Sequence, residues 1–140
     1  MSVIKETGSG PTIMVVDDES RVCRLFEKVL GEEGYRVVTA SNGRDAMELA
    51  KETHPHVVLL DIVMPEMDGI ATLRELRKHE KFSVVVMLTA RGTIQTARDA
   101  MVLGAYDYIT KPFDLEFLKS ILRNAFAEHE QIKRKNACAY

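Results

Sequence analysis

Tryptophan is missing from this 140-residue chain, cysteine occurs only twice and the net charge is only -2. Cys23 and Cys138 lie in unlike contexts with no C-x-x-C pair, so neither a disulfide framework nor a zinc or redox motif is built from them. That usage fits a reducing cytoplasm, with Cys23 read as helix packing. No apolar run exceeds Val84 to Leu88, far short of the ~20 residues of a membrane-spanning helix. The small net charge excludes a broad electrostatic affinity for nucleic acid or anionic membrane. Residues 1–11 are rich in Gly, Ser and Thr and lack an apolar signal region, so they are expected to form a disordered leader. What the chain has in quantity is apolar side chains, 46% of the total, enough for the core of one domain.

Those side chains are grouped. Short runs rich in Val and Ile at Ile13 to Val16, Tyr35 to Val38, Val57 to Leu60, Val84 to Leu88 and Ala105 to Ile109 predict five strands. Between and after them apolar residues recur at helical spacing: Val22, Leu25, Phe26, Val29, Leu30; Ala46, Leu49, Ala50; Ile70, Leu73, Leu76; Ala97, Met101; and Phe117, Leu118, Ile121, Leu122. Strict alternation, with strands too apolar to carry a wet face, predicts an α/β domain. Its (βα)5 order puts a parallel sheet between two helical layers. Gly34 and Gly104 mark helix ends, and Ser41-Asn42-Gly43 and Asp68-Gly69 mark loops or helix starts.

Open parallel sheets bind ligands beyond the carboxyl ends of their strands. Asp17 and Asp18 follow the first predicted strand and Asp61 the third, Thr89 follows the fourth, and Lys111 lies just past the fifth. Singly, each residue has an ordinary reading: Asp18 or Ser20 as cap of the first helix, Asp61 as a turn, Thr89 as cap of the fourth helix, Lys111 as a surface lysine, Tyr108 as a half-buried aromatic. Independent caps have no reason to share one sheet edge. Three carboxylates brought together repel and raise one another's pKa, and a hard divalent cation such as Mg²⁺ relieves that crowding most simply.

The segments V-V-D-D-E from Val15, L-L-D-I-V-M-P-E-M-D-G from Leu59, M-L-T-A-R from Met87 and G-A-Y-D-Y-I-T-K-P-F from Gly104 stand in fixed order. Over residues 12–126 the chain thereby resembles the receiver domain of two-component response regulators, with features of the nitrogen-regulation type of transcriptional activator. The resemblance implies a flavodoxin-like fold with strand order 2-1-3-4-5, counting the five predicted strands. It implies Asp61 as phosphoacceptor from a sensor histidine kinase or phosphotransfer protein, with Lys111 and Thr89 contacting the phosphoryl group. It further implies Mg²⁺ bound by Asp18, Asp61 and the backbone carbonyl of Val63, with Asp17 acting largely through coordinated water.

On phosphorylation Thr89 would turn toward the phosphoryl oxygen and Tyr108 into the space near it. That would repack the surface of the fourth helix, fifth strand and fifth helix, through which a homodimer is hypothesised. The Lys111-Pro112 bond is expected cis. Val63 and Arg91 occupy positions that tune phosphoryl lifetime; neither suits an attacking water, so slow self-dephosphorylation is expected. Residues 127–140 are expected to extend the last helix or to form a linker, with any output domain outside these residues.

On this reading the chain catalyses only its own phosphorylation and dephosphorylation and is not otherwise an enzyme. The alternative is a phosphotransferase or phosphatase that passes through an aspartyl-phosphate. It lacks the second Asp two residues after the nucleophile, where Val63 stands. A flavodoxin-like FMN carrier is disfavoured because no Ser/Thr/Gly-rich phosphate loop follows the first strand.

Overall fold

The computed structural model describes residues 3–4, 8–64, 67–90 and 92–138. Its elements run β1 (Val3–Ile4), β2 (Thr12–Val16), α1 (Ser20–Glu32), β3 (Arg36–Ala40), α2 (Gly43–Thr53), β4 (Val57–Leu60), α3 (Gly69–His79), β5 (Val84–Thr89), α4 (Ile94–Val102), β6 (Asp107–Thr110) and α5 (Leu115–Cys138). The sheet order is β1-β3-β2-β4-β5-β6. The five strands from β2 to β6 are parallel, and counted alone they run 2-1-3-4-5, as the resemblance implied. One expectation is corrected at its edge: within the supposed loose leader, Val3 and Ile4 pair antiparallel with Thr39 and Val38, and Gly10 N–H donates to Gly34 O at 2.9 Å. The outer edge of β3 offers unpaired backbone groups, and a strand of two residues is enough to use some of them.

Strand alternation divides the core into two. Met14 and Val16 point into a layer with Ala46, Leu49, Leu73, Leu76 and Ala100, so α2, α3 and α4 cover one face. Ile13 and Val15 point to Cys23, Phe26, Leu30, Leu118 and Leu122, so α1 and α5 cover the other. Burying each such Leu or Phe side chain stabilises the fold by roughly 1.5–3 kcal/mol. Leu25, Met101 and Phe117, assigned to the inward stripes from spacing, are instead 48%, 49% and 53% exposed. Their neighbours Phe26, Ala100 and Leu118 take the inward positions, because an apolar stripe covers only part of a helix and one residue of an adjacent apolar pair must face out.

Two strands are shifted from their predicted places. Tyr35 belongs to the end of α1, its N–H donating to Leu30 O, so β3 starts at Arg36 opposite Thr12. Ala105 likewise closes the turn after α4, where its N–H donates to Ala100 O, and β6 pairs from Asp107 opposite Val86. Gly34 and Gly104 have φ of 97° and 92°, the left-handed backbone that a side chain disfavours. Asn42, Asp68 and Thr93 cap α2, α3 and α4 by accepting from Asp45, Ala71 and Thr96 N–H.

Candidate functional site

Backbone pairing brings the carboxyl ends of four strands together. Asp17 and Asp61 each sit one residue past their strands, with Asp17 N–H donating to Ala40 O at 3.1 Å and Asp61 N–H to Val16 O at 3.0 Å. Thr89 ends β5, and Lys111 N–H donates to its carbonyl at 2.8 Å. The ladder therefore carries the strand register one step beyond the sheet. That step puts the Asp17 carboxylate beside that of Asp61 and both beneath the Lys111 side chain.

One oxygen each from Asp17, Asp18 and Asp61 lies within 4.8 Å of the others. Asp17 is 3% exposed and both its oxygens are engaged: Oδ1 accepts from Glu19 N–H and Oδ2 from Lys111 Nζ, each at 2.9 Å. Asp18 is exposed. The capping alternative does not apply to it, since α1 has Glu19 at its N-cap with no side-chain bond. Nor does Thr89 cap α4, a role taken by Thr93 in a reciprocal pair with Thr96. Asp61 is 7% exposed, with Lys111 Nζ 3.9 Å from its Oδ2 and Val63 N–H 3.4 Å from its Oδ1.

Burial and, next, the Asp17 charge push the Asp61 carboxyl up from its ordinary value, while Lys111, the Thr89 hydroxyl and Val63 N–H hold it down. Burial alone would depress the Lys111 ammonium, but the hydrogen bond to Asp17 and the charges of Asp17, Asp61 and Glu19 raise it. A cavity of about 200 Å³ opens over these groups, lined by Asp18, Glu19, Asp61, Val63, Thr89, Ala90 and Lys111. The donor set is all oxygen, partly buried and short of positive charge, which suits a hard divalent cation and not a soft metal.

Thr89, wholly buried, already gives its hydroxyl to the Asp61 carboxylate. Tyr108 is half-buried, with its hydroxyl 3.2 Å from Thr96 Oγ1 and packed directly over Gly92, where no Cβ would fit. The Lys111-Pro112 bond is cis. Arg91 lies outside the described residues. The sequence reading missed Thr96 and Gly92 as neighbours of Tyr108, and it missed that Cys23 Sγ, 3.4 Å from Asp17 O, braces the acidic loop. Burial raises the Cys23 thiol to about 11, so it stays protonated in that contact. Among the described residues no helix is long and apolar enough to cross a membrane.

The family model for the response regulator receiver domain matches residues 13–123. Regulatory protein AtoC of Escherichia coli (strain K12) is 45% identical over 113 residues, 81% of this chain and 24% of that protein. Probable transcriptional regulator ycf27 of Porphyra purpurea is 38% identical over 120 residues, 86% of this chain and 49% of that protein. The chain thus spans from about a quarter to about half the length of these curated relatives. Among solved structures, the BeF3-activated receiver domain of Klebsiella pneumoniae RstA superposes with a TM-score of 0.77 at 31% identity, covering 82% of this chain and 97% of that one. Chemotaxis protein CheY4 of Vibrio cholerae gives 0.79 at 28%, covering 84% and 99%.

Proposed function

Since the chain belongs to the response regulator receiver domain family, and so is a phosphorylatable signalling switch, we propose that Asp61 is its phosphoacceptor. The observation that carries this is the Asp61 carboxylate lining the cavity, 3.9 Å from the Lys111 ammonium and with an oxygen each of Asp17 and Asp18 within 4.8 Å. An Asp61 oxygen attacks the phosphorus of a phosphohistidine on a sensor kinase or phosphotransfer protein. An O–P bond forms as the P–N bond breaks, and the departing imidazole keeps the bonding pair and takes a proton from water. Asp61 needs no base, because it reacts as the carboxylate.

Asp18, Asp61 and the backbone carbonyl of Val63 would hold Mg²⁺ directly, and Asp17, whose oxygens are engaged, through water. Mg²⁺ bound there neutralises the crowded carboxylates and the charge on the transferring group. Lys111 offsets charge on the phosphoryl oxygens, and Thr89, already beside Asp61, donates its hydroxyl to one of them. Transfer of that hydroxyl frees Tyr108 to turn toward β5, which would alter the α4-β6-α5 surface read by an output domain or a second copy. Val63 lines the cavity without a polar group to activate water, and Arg91 is by residue type a cation and not a base, so the phosphoryl group is long-lived. Val63 two residues past Asp61 also leaves a phosphatase without its acid. The setting is the cytoplasm, where such kinases present their phosphohistidine.

Beryllium and fluoride added with Mg²⁺ test the assignment. A bound beryllofluoride signal in ¹⁹F NMR that vanishes in Asp61→Asn supports it, and the same signal in Asp61→Asn overturns it.

A further inference from the structure

All four histidines of the chain, His54, His56, His79 and His129, line a single cavity of about 520 Å³. It lies at the amino ends of the strands, the edge opposite the acidic cluster: His54 and His56 precede β4, His79 ends α3 and His129 lies on α5. That volume suits a small molecule.

The polar groups of this cavity are unbalanced. Lys81, in the turn after α3, and Lys133, on α5, are exposed and line it, and Glu80 is the one acid among the lining residues. Glu80 is already committed, its Oε1 3.0 Å from His54 Nδ1. His56 accepts from Thr12 N–H at Nδ1, at 3.1 Å, so its neutral ring must carry the proton on Nε2 and present a donor. Its ring meets His129 edge-on, 4.8 Å between centroids. Pro55 and Phe82, the latter 47% exposed, add apolar wall. A metal does not fit this set, because Nδ1 of His56 is occupied, and among the described residues only Asp17, Asp18 and Asp61 bring three ligand groups together.

Ammonium groups and N–H donors above an apolar wall, with no uncommitted acid, recognise an anion with a flat apolar body. We propose that this cavity binds a small aromatic or similarly flat organic carboxylate, its charge between Lys81 and Lys133 and its body against Phe82 and the imidazoles. The occupant is a small molecule and not an acidic polypeptide, because the volume of about 520 Å³ is walled by three separate segments, the one before β4, the end of α3 with its following turn, and α5. Bound there, it ties the turn after α3 to the distal half of α5, independently of Asp61.

Two-dimensional ¹H–¹⁵N NMR of the labelled full chain titrated with benzoate tests this. Benzyl alcohol, inorganic phosphate and a tetraglutamate peptide serve as comparison ligands. Benzoate is expected to give saturable shifts in the four imidazoles and around residues 81–83. Its affinity should fall about tenfold or more in Lys81→Gln and in Lys133→Gln, the scale of one charge-assisted hydrogen bond, and stay unchanged in Asp61→Asn. Both lysines are exposed, and unshifted spectra of the free variants report that they fold. Absence of a saturable benzoate response, equal binding of benzyl alcohol, a response to the peptide or phosphate alone, or loss of binding in Asp61→Asn would each overturn the proposal.

Discussion

Lys111 Nζ lies 2.9 Å from Asp17 Oδ2, and the two side chains are only 16% and 4% exposed. The contact joins the end of β6 to the end of β2 and supplies the cation that the acidic cluster otherwise lacks. Because desolvation opposes any buried charge, the pair is better understood as mutual compensation than as a net source of stability. Removing one member leaves the other charged and partly buried.

Lys111→Met is therefore expected to lower stability by about 1–3 kcal/mol in Mg²⁺-free buffer, the cost of leaving a buried polar group unpaired. It should also tighten Mg²⁺ binding, since a competing cation is gone. Urea denaturation with and without Mg²⁺ measures both. Unchanged stability together with weaker Mg²⁺ binding contradicts the compensation argument.

Asp61→Asn is expected to do the opposite. A carboxyl whose pKa is raised on folding, here by burial and by Asp17, stabilises the fold fully below its unfolded value. That contribution is lost as pH rises through the folded value. At neutral pH the charge is a burden, so the amide should raise Tm by roughly 3 °C, the scale of about 1 kcal/mol in a chain of this size. The gain should shrink on acidification through the carboxylate range and on addition of Mg²⁺. Calorimetry across pH is the measurement.

Burial, and then the neighbouring His56, hold the His129 imidazole below its ordinary value, with Glu130 pulling it up and Lys133 adding to the depression. A base depressed on folding favours the folded state above its unfolded value, near 6.5, and that advantage is lost as pH falls toward the folded value. Urea midpoints should drop between pH 7 and pH 5.5, less so in His129→Phe. Histidine side-chain NMR should show His129 titrating below the ordinary imidazole value of about 6.5. A His129 titration at or above that value would contradict depression by burial and His56.

Gly92→Ala would put a methyl where the Tyr108 hydroxyl lies. The ring must leave, breaking its contact to Thr96 Oγ1 at the start of α4. Cross-peaks between Tyr108 and Thr96 should disappear without change in β6. Their persistence would mean that the backbone around Gly92 yields instead.

Much of this was legible from residue order. Runs such as Val57–Leu60 are apolar at every position because both faces of a parallel strand are buried, and Asp17, Asp61 and Lys111 follow their strands directly, so counting residues finds the crevice. The short pairing of Val3 and Ile4 was not legible: two residues carry no periodic signal, and the pairing depends on where the edge of β3 falls. Nor was the outward turn of Met101, since the spacing that marks a stripe does not say which of two adjacent apolar residues faces in. Thr96 and Tyr108, twelve positions apart, meet only because α4 packs beside β6. The histidines were visible as letters, but their convergence is a product of the loop before β4 and the two helices α3 and α5, with no common motif.

The acidic cluster and Lys111 are proposed to support phosphoryl transfer to Asp61 in a magnesium-dependent reaction. Intact-mass spectrometry after incubation with acetyl phosphate and Mg²⁺ tests it most directly. The wild-type chain is predicted to gain the mass of one phosphoryl group, lost on treatment with EDTA before acetyl phosphate and absent from Asp61→Asn. An unmodified wild-type chain, or equal labelling of Asp61→Asn, would contradict the account.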